Sequence, residues 1–530
     1  MQIRSKTAAE KPGYSTRWIG LAFLSVCVVV IAIDNTVLNV ALPSLSRALS
    51  ASATDLQWIV DAYVLVFAAL LLTAGTLSDR FGRKRLLLIG LALFAIGSFA
   101  AALATTTLAL MAARAFTGIA AAMMLPSTLS LITTTFEDEE RLQAFSIWAS
   151  IFSLGFAVGP IVGGFLLEHG SWQLVFLVNL PVIALGLAGI SRFLAESRDE
   201  HPSKFDFLGI VLSFVGLFSL IYGIIEAGSF GWTAPNVLVS LALAIVVLSV
   251  FAWWENRNPN AMLPLSVFKN RSFTAASLAI TLTVFAIGGS LFFVSQYYQT
   301  VRGYDTLTAG FAALPQAISF FIMSQLAVRI QKRFSARQAI SFGIGLASVG
   351  MFIMALTFHV DTPYLVTLIG QLLLSIGMGT AVSPATNVIM SSVPPERAGV
   401  GSAVNDTTRE LGGALGIAIL GTIMFATYRE SIRSIGTLFP QLSSEVLQQI
   451  ASSIQGAHLV AATLPGDVGQ TIVATANAAF VSGITQAMVI GGVISGLGAL
   501  LVFFALPSVM ATREVSRVEN EAQAVGVAGG

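Results

Sequence analysis

The sequence predicts an all-α membrane protein of fourteen transmembrane helices, and three observations carry that reading. Of its 530 residues 55% are hydrophobic and only 10% charged, whereas a soluble domain carries roughly 25% charged residues. Apolar runs long enough to cross a bilayer, about 20 residues each, recur along the whole chain. Lys and Arg gather in the short links on one side of those runs. A net charge of +1 from 28 basic and 27 acidic residues makes no broad field, which argues against a nucleic-acid partner. The single Cys27 has no second cysteine to pair with and says nothing of redox compartment.

Span 1 covers residues 18–42. It is too long for a signal-peptide core, contains Asp34 and precedes many further spans, so it reads as a retained helix. Spans 2 to 6 cover 56–76, 86–104, 108–131, 142–167 and 174–194; spans 7 and 8 cover 206–227 and 236–255. Spans 9 to 14 cover 272–297, 306–330, 338–357, 363–390, 402–427 and 479–506. An even number puts both termini on one side. Links on that side hold 22 of the 28 Lys and Arg residues, the opposite side holds Arg47, Arg302, Arg429 and Arg433, and Arg114 and Arg409 fall inside spans. The positive-inside rule therefore predicts cytoplasmic termini.

The organisation that follows is a cytoplasmic N-terminus (1–17), a six-helix bundle (18–200), an inserted linker pair (201–260), a second six-helix bundle (261–508) and a disordered cytoplasmic tail (509–530). The outer link 428–478 is far longer than the others, and its stretch LSSEVLQQIASSIQGAHLVAAT has helical periodicity. A small external cap and a mobile loop both fit it. A faint repeat supports two halves: Asp79-Arg-Phe-Gly-Arg-Lys-Arg85 aligns with Lys332-Arg-Phe-Ser-Ala-Arg-Gln338, in the links joining spans 2 to 3 and 10 to 11.

Four motifs stand in order on these spans: IDNTVLNVALP (33–43), GTLSDRFGRKR (75–85), RAFTGIAAAM (114–123) and GFAVGPIVGG (155–164). Together they resemble the major facilitator superfamily and, within it, the fourteen-helix drug:proton antiporters, over essentially the whole chain. The loop is similar to the superfamily signature G-x-L-x-D-R-x-G-R-K-x. The first-helix motif has Ile33 in place of Leu, and the fourth-helix motif R-x-x-Q-G has Thr117 in place of Gln. The fifth-helix pattern G-x-x-x-G-P-x-x-G-G is associated with exporters more than importers. The resemblance implies alternating access in the plasma membrane, with the loop as a gate.

The residues carry their own chemistry. In the loop, Gly75 and Gly82 permit close approach and a turn, while Asp79 can pair with Arg83 or a neighbouring helix in a bond that breaks when the halves rock. Arg80, Lys84 and Arg85 read equally well as plain topology signals. Asp34 lies about 12 Å in from the outer end of span 1, and Arg114 about 9 Å in from the outer end of span 4. Charge at that depth is expensive and faces a cavity or a partner, so the two suggest one shared polar site, with Asp34 either the proton carrier or half of a structural ion pair. Asp61, at similar depth in span 2, is either functional or a solvated carboxylate, with Trp58 as an interface anchor and Tyr63 as anchor or pocket wall.

Span 13 carries Asp406, Arg409 and Glu410, spaced to share a face. Either the Arg neutralises one acid and leaves the other for a cationic cargo, or the three form a closed cluster. Glu226 and Glu255, ending spans 7 and 8, read as solvated termini. Gly155, Gly159 and Gly163 recur every four residues beside Pro160 and Gly164; this is a packing stripe with a bend, expected to seal the interface between halves. Phe292, Phe293, Gln296, Tyr297 and Gln299 of span 9 mix aromatic and amide groups suited to a drug pocket.

No Gly-Lys pair occurs, so no phosphate-binding loop exists for an ATP motor. The four His residues fall in links without metal-ligand spacing. An enzyme is unsupported. The expected function is proton-coupled antiport that exports amphipathic, cationic drugs or dyes from the cytoplasm or inner leaflet. It would use the proton gradient with no cofactor, and the protein would be a monomer among membrane lipids. Export of a native lipid, siderophore or metabolite, or a non-transporting sensor, are the alternatives.

Overall fold

The computed structural model describes residues 14–51, 53–200, 206–331 and 333–507. The expectations for residues 1–13, for Lys332 in the second loop copy and for the tail 509–530 lie outside the described residues. Fourteen helices are long and apolar enough to cross a membrane. They are α1 (Arg17–Leu49), α2 (Ala53–Phe81), α3 (Arg83–Ala102), α4 (Thr107–Thr135), α5 (Asp138–His169), α6 (Leu174–Phe193) and α7 (Phe207–Phe230). Then follow α8 (Pro235–Arg257), α9 (Arg271–Gln296), α10 (Thr306–Gln331), α11 (Ala336–Thr357), α12 (Tyr364–Ser391), α13 (Ala398–Ile432) and α14 (Gly466–Ala505). Helix is the only open-ended way for a segment in hydrocarbon to satisfy its own N–H and C=O groups. Side chains finish several ends: Thr106 accepts from Ala109 N, Asn270 from Ser272 N, and Ser335 and Gln338 form a reciprocal capping box.

The packing repeats. In the first half α1 packs on α5 and α6, α4 on α2 and α3, and α3 on α6. Shifted by eight, the same partnerships recur: α9 on α13 and α14, α12 on α10 and α11, and α11 on α14. The halves meet along two seams that a two-fold axis would exchange, α2 against α13 and α5 against α10. The inserted pair α7 and α8 packs together, and α7 lies along only one seam, against α2 and α13. There Trp58 of α2, partly exposed, stacks on Tyr222 of α7 with ring centroids 6.1 Å apart, so it is also a seam residue.

The termini of the inserted pair differ from expectation. Glu226 is buried and accepts from Asn236 Nδ2 of α8 at 2.8 Å. Glu255 is buried at the other end, where its Oε2 accepts from Leu263 N at 2.9 Å, beside an Asp206 carboxylate that takes bonds from Trp254 Nε1 and Asn258 Nδ2. Neither is a solvated terminus: each carboxylate ties its helix end to a neighbouring segment, which position along the span alone does not reveal.

The glycine stripe of α5 also has a different partner from the one expected. Gly155, Gly159 and Gly163 face α1, where an added Cβ would strike Ala32, Thr36 and Val37, so these three hold one half together and do not seal the two halves. One residue further on, and so about 100° around the helix, Pro160 and Gly164 do face the other half: a Cβ at Gly310 would lie 3.7 Å from Pro160, and one at Gly164 would lie 2.9 Å from Leu307. Toward the end of the bundle rich in Lys and Arg, the basic end, this seam is polar. Ser324 Oγ donates to Ser146 O at 3.2 Å and Gln325 Nε2 to Ser150 Oγ at 3.0 Å.

At the opposite end, three short helices (Ser434–Leu438, Ser444–Ser452 and Ile454–Ala461) form a cap. Tyr428 Oη donates to Ile450 O at 3.0 Å, His458 Nε2 to Asn477 Oδ1 at 2.8 Å, and Gln455 Nε2 to Gln296 Oε1 at 3.2 Å. These bonds join the cap to α13, α14 and α9, all in the second half. α14 begins at Gly466 and not near 479, because a helix continues into polar surroundings where Asp467, Gln470 and Asn477 end the apolar run.

The basic end is closed by a latch between halves. Asp79 Oδ1 accepts from Arg83 Nε (2.9 Å) and Nη2 (2.6 Å) and from Gly399 N (2.8 Å), and Oδ2 accepts from Val400 N (3.2 Å). Those two amides are the first free donors of α13, where the helix dipole favours an anion. Arg83 Nη2 in turn reaches Pro395 O and Glu396 O at 2.8 and 2.9 Å. Gly75 crosses Gly399 and Ala403 so closely that a Cβ would collide with both. Gly82 has φ +110°, a conformation that L side chains rarely adopt, and lies over the Glu196 carboxylate. Glu196, unnoticed in the sequence, accepts from Lys84 N and Arg85 N at 3.0 Å each and so caps α3. Lys84 Nζ donates to Ser191 O and Leu194 O, while Arg80 lies beside the Phe81 ring at 5.7 Å.

Two outcomes follow. Asp79→Asn removes charge-assisted bonds worth about 1.5–3 kcal/mol each, so hydrogen exchange at the Gly399 and Val400 amides rises at least about tenfold, measured by mass spectrometry on the purified protein. Gly159→Val drives a side chain into Thr36 and separates α1 from α5, lowering the detergent-solubilised melting temperature by several degrees, roughly the effect of 1–3 kcal/mol of overpacking.

Candidate functional site

Two polar clusters lie inside the helical bundle. The first joins α1, α2, α4 and α6. Arg114 Nη1 donates to Asp34 Oδ2 at 2.6 Å, and both side chains are at most 2% exposed. Asn179 Nδ2 donates to the other carboxylate oxygen, Oδ1, at 3.0 Å. The guanidinium lies over the Tyr63 ring, 4.4 Å from its centroid, and Arg114 Nε points to Ile59 O at 3.4 Å. The matched depths of Asp34 and Arg114 thus correspond to direct contact. Asn179, a lone amide in the apolar run VFLVNLPVI, was missed, although an amide buried that deep is itself a signal. Thr117, where the motif has Gln, bonds back to Arg114 O of its own helix at 2.8 Å and meets α3 only through its methyl, which packs on Gly97.

Tyr63 connects this cluster to the second. Its hydroxyl is buried without a hydrogen-bond partner of normal geometry, with Asn35 beside it, and it stands in electrostatic range of Asp34 and Arg114 of the first cluster and of Glu410 of the second. Asp61, about two turns into α2 from Ala53, is half-buried, takes a hydrogen bond from Gln57 and stands in electrostatic range of Glu226 of α7. The acids of α2 and of the inserted pair therefore face each other across the covered seam.

The second cluster is on α13. Asp406 is fully buried; its Oδ1 accepts from Asn405 Nδ2 at 3.1 Å, while Oδ2 has no partner, the Ser402 hydroxyl facing it at a geometry short of a hydrogen bond. Arg409 does not close a salt bridge with either acid, which excludes the closed cluster. Its guanidinium instead crosses to the first half and lies 5.3 Å from the Trp148 ring centroid and 4.9 Å from that of Phe152, both on α5, with Nη1 unpartnered. A cation on aromatic faces in a dry site gains about 2 kcal/mol, and a buried unpaired acceptor costs about 1–3 kcal/mol. The helix thus leaves one oxygen of Asp406 without a donor while the Arg409 guanidinium, still in electrostatic range of both acids, rests on the rings.

The aromatic group of α9 is less open than expected. Phe293, Tyr297 and Tyr298 are buried, with Tyr297 Oη bonded to His359 O at 2.8 Å and Tyr298 Oη to Thr367 Oγ1 at 2.7 Å. Phe292 is on the exposed outer surface of the bundle and Gln296 is bonded to the cap. Phe293, Tyr297 and Tyr298 thus help hold the second half together, while Gln299 bonds only to Ser295 Oγ of its own turn at 3.1 Å. Among the described residues no group of three His, Cys, Asp or Glu could hold a metal ion.

The comparisons with known proteins agree with this arrangement. A family model described as Major Facilitator Superfamily matches residues 24–417. Multidrug efflux pump LfrA of Mycolicibacterium smegmatis is 41% identical over 478 residues, 90% of this chain and 94% of that protein. Methyl viologen resistance protein SmvA of Salmonella typhimurium is 31% identical over 467 residues, 88% of this chain and 93% of that protein. In three dimensions the MFS proton:xylose symporter XylE matches with a TM-score of 0.60 at 14% identity, over 93% of this chain and 96% of that one, which speaks for the fold alone. With the four motifs, the repeated six-helix packing and these relatives on one side, the chain belongs to the Major Facilitator Superfamily.

Proposed function

We propose that the protein exports amphipathic, cationic drugs or dyes across the plasma membrane in exchange for protons, by alternating access. The observation that carries this is the buried Asp34–Arg114 ion pair, linked through Tyr63 to the α13 cluster, where Asp406 Oδ2 has no partner. Ionised groups are kept inside a membrane helix where they do work. A proton arriving at Asp34 neutralises its half of the pair, so Arg114 loses its counter-ion and keeps only the Tyr63 face and the Ile59 carbonyl. That shift in charge changes the field felt by a cation held near Asp406 and Glu410.

The latch sets the second requirement. To open the basic end, which the count of Lys and Arg makes cytoplasmic, Asp79 has to leave the α13 amides and Arg83 the 395–396 carbonyls. Proton and cargo act on different charges of one coupled set, the proton on Asp34 and the cargo on the α13 acids, so each bound species favours a different end being open. Relatives named for multidrug efflux and for resistance to methyl viologen, an aromatic dication, support a cationic cargo. An uncharged native cargo would leave the α13 carboxylates without a purpose.

Two measurements test this. In everted vesicles, adding a substrate dye to the energised wild-type protein releases protons, and Asp34→Asn abolishes that release while folded yield is retained, since the amide oxygen still accepts from Arg114; continued dye-driven proton movement removes Asp34 from the coupling. Asp406→Asn with Glu410→Gln abolishes resistance to cationic dyes in a pump-deficient host, and resistance that survives both changes makes α13 a structural element only.

A further inference from the structure

We infer that Arg409 is a resident cation: its guanidinium occupies the aromatic half of the cargo site, formed by Trp148 and Phe152, and an incoming organic cation displaces it. The inference deepens the proposed export of cations and rests on it. Three observations carry it. The rings of Trp148 and Phe152, one helical turn apart on α5, are almost parallel at 1° and stacked with centroids 5.8 Å apart, making a stepped aromatic face. Arg409 of the opposite half covers that face at 5.3 and 4.9 Å. Asp406, three residues before it and fully buried, keeps Oδ2 bare although a cation on its own helix could reach toward it.

A guanidinium and a carboxylate three residues apart on one helix face lie within each other's reach, and in a dry site their pairing is the arrangement expected when nothing else competes. Here the guanidinium is held away on the rings, with Nη1 unpartnered. Trp148 is fixed from behind, its Nε1 donating to Thr128 Oγ1 at 2.9 Å, so the ring face does not turn to follow the arginine. A flat or aryl-substituted cation has the chemistry to replace the guanidinium on these rings and to place its charge against Asp406 and Glu410. The released Arg409 can then swing along its own helix. Because the rings belong to α5 and the arginine to α13, the displacement also removes a contact between the halves, which ties cargo binding to their movement.

The test is equilibrium binding of tetraphenylphosphonium to the full-length protein in nanodiscs. Arg409→Gln removes the internal competitor and tightens binding about tenfold. Phe152→Leu weakens binding in the wild-type background, and in the Phe152→Leu background the effect of Arg409→Gln falls to about threefold or less, because the competition takes place on that ring. If Arg409→Gln fails to fold, Arg409→Lys, which keeps the charge on a compact, strongly hydrated ammonium, tightens binding at least about twofold. Unchanged or weaker binding in the folded Arg409 variant overturns the inference, as does a tenfold gain that persists undiminished in Phe152→Leu. Tetraphenylphosphonium bound by the wild type but insensitive to Arg409 sinks this inference alone; absence of binding in the wild type and all variants sinks the cationic-cargo reading with it.

Discussion

A charge that enters hydrocarbon needs something to answer it, and the architecture of this protein is arranged around the few that do. Asp34 is answered by Arg114 and Asn179, and Arg114 in addition by the Tyr63 ring. Asp79 is answered by Arg83 and by the first free amides of α13. Glu226 and Glu255 are answered by an amide and by a backbone N–H. On α13 the answer is incomplete for an acid and a base of one helix face, with Asp406 Oδ2 and Arg409 Nη1 both lacking partners, while elsewhere single atoms such as Glu255 Oε1 also go without. Two opposite charges left unsatisfied within one helical turn are a costlier arrangement than a single orphaned atom, and that cost is what sets the α13 cluster apart.

The two-fold logic of the bundle gives those charges their mobility. Helices α2 and α5 of one half meet α13 and α10 of the other, and each seam is made of different material along its length. At the basic end the bonds are polar and charged, as in the Asp79 latch and the Ser324–Ser146 contact. Toward the cap the α5–α10 seam is small and apolar, built from Pro160, Gly164 and Gly310. Polar bonds are made or broken as a unit, whereas small apolar contacts permit tilting with little cost. The cap is bonded to α9, α13 and α14 and so travels with the second half.

The number, order and approximate position of the spans were legible in the sequence because the bilayer imposes a length that hydrophobicity reports directly. The juxtaposition of Asp34 and Arg114 was legible for a related reason: depth is fixed by counting residues from a helix end, and two isolated charges at one depth have few other options. What could not be seen was direction around a helix relative to neighbours. The four-residue spacing of Gly155, Gly159 and Gly163 defines a face but not whether α1 or α10 lies against it. The spacing of Asp406, Arg409 and Glu410 permits a salt bridge, and only the presence of Trp148 and Phe152 across the seam shows why one does not form. Glu226 and Glu255 were misjudged because a carboxylate at a span end looks solvated until a neighbouring helix closes over it. The link 428–478 stayed ambiguous because short amphipathic segments acquire their structure from what they dock on.

The inserted pair breaks the symmetry that the two halves otherwise keep. With α7 lying along α2 and α13, and Tyr222 stacked on Trp58, one of the two sides by which a bilayer-dissolved molecule could slip between the halves is curtained off. The two seams are thereby unlike on their outer sides: α7 lies against α2 and α13, whereas among the described residues neither helix of the inserted pair is a main packing partner of α5 or α10, so the bundle's pseudo-symmetry ends at its lipid-facing surface.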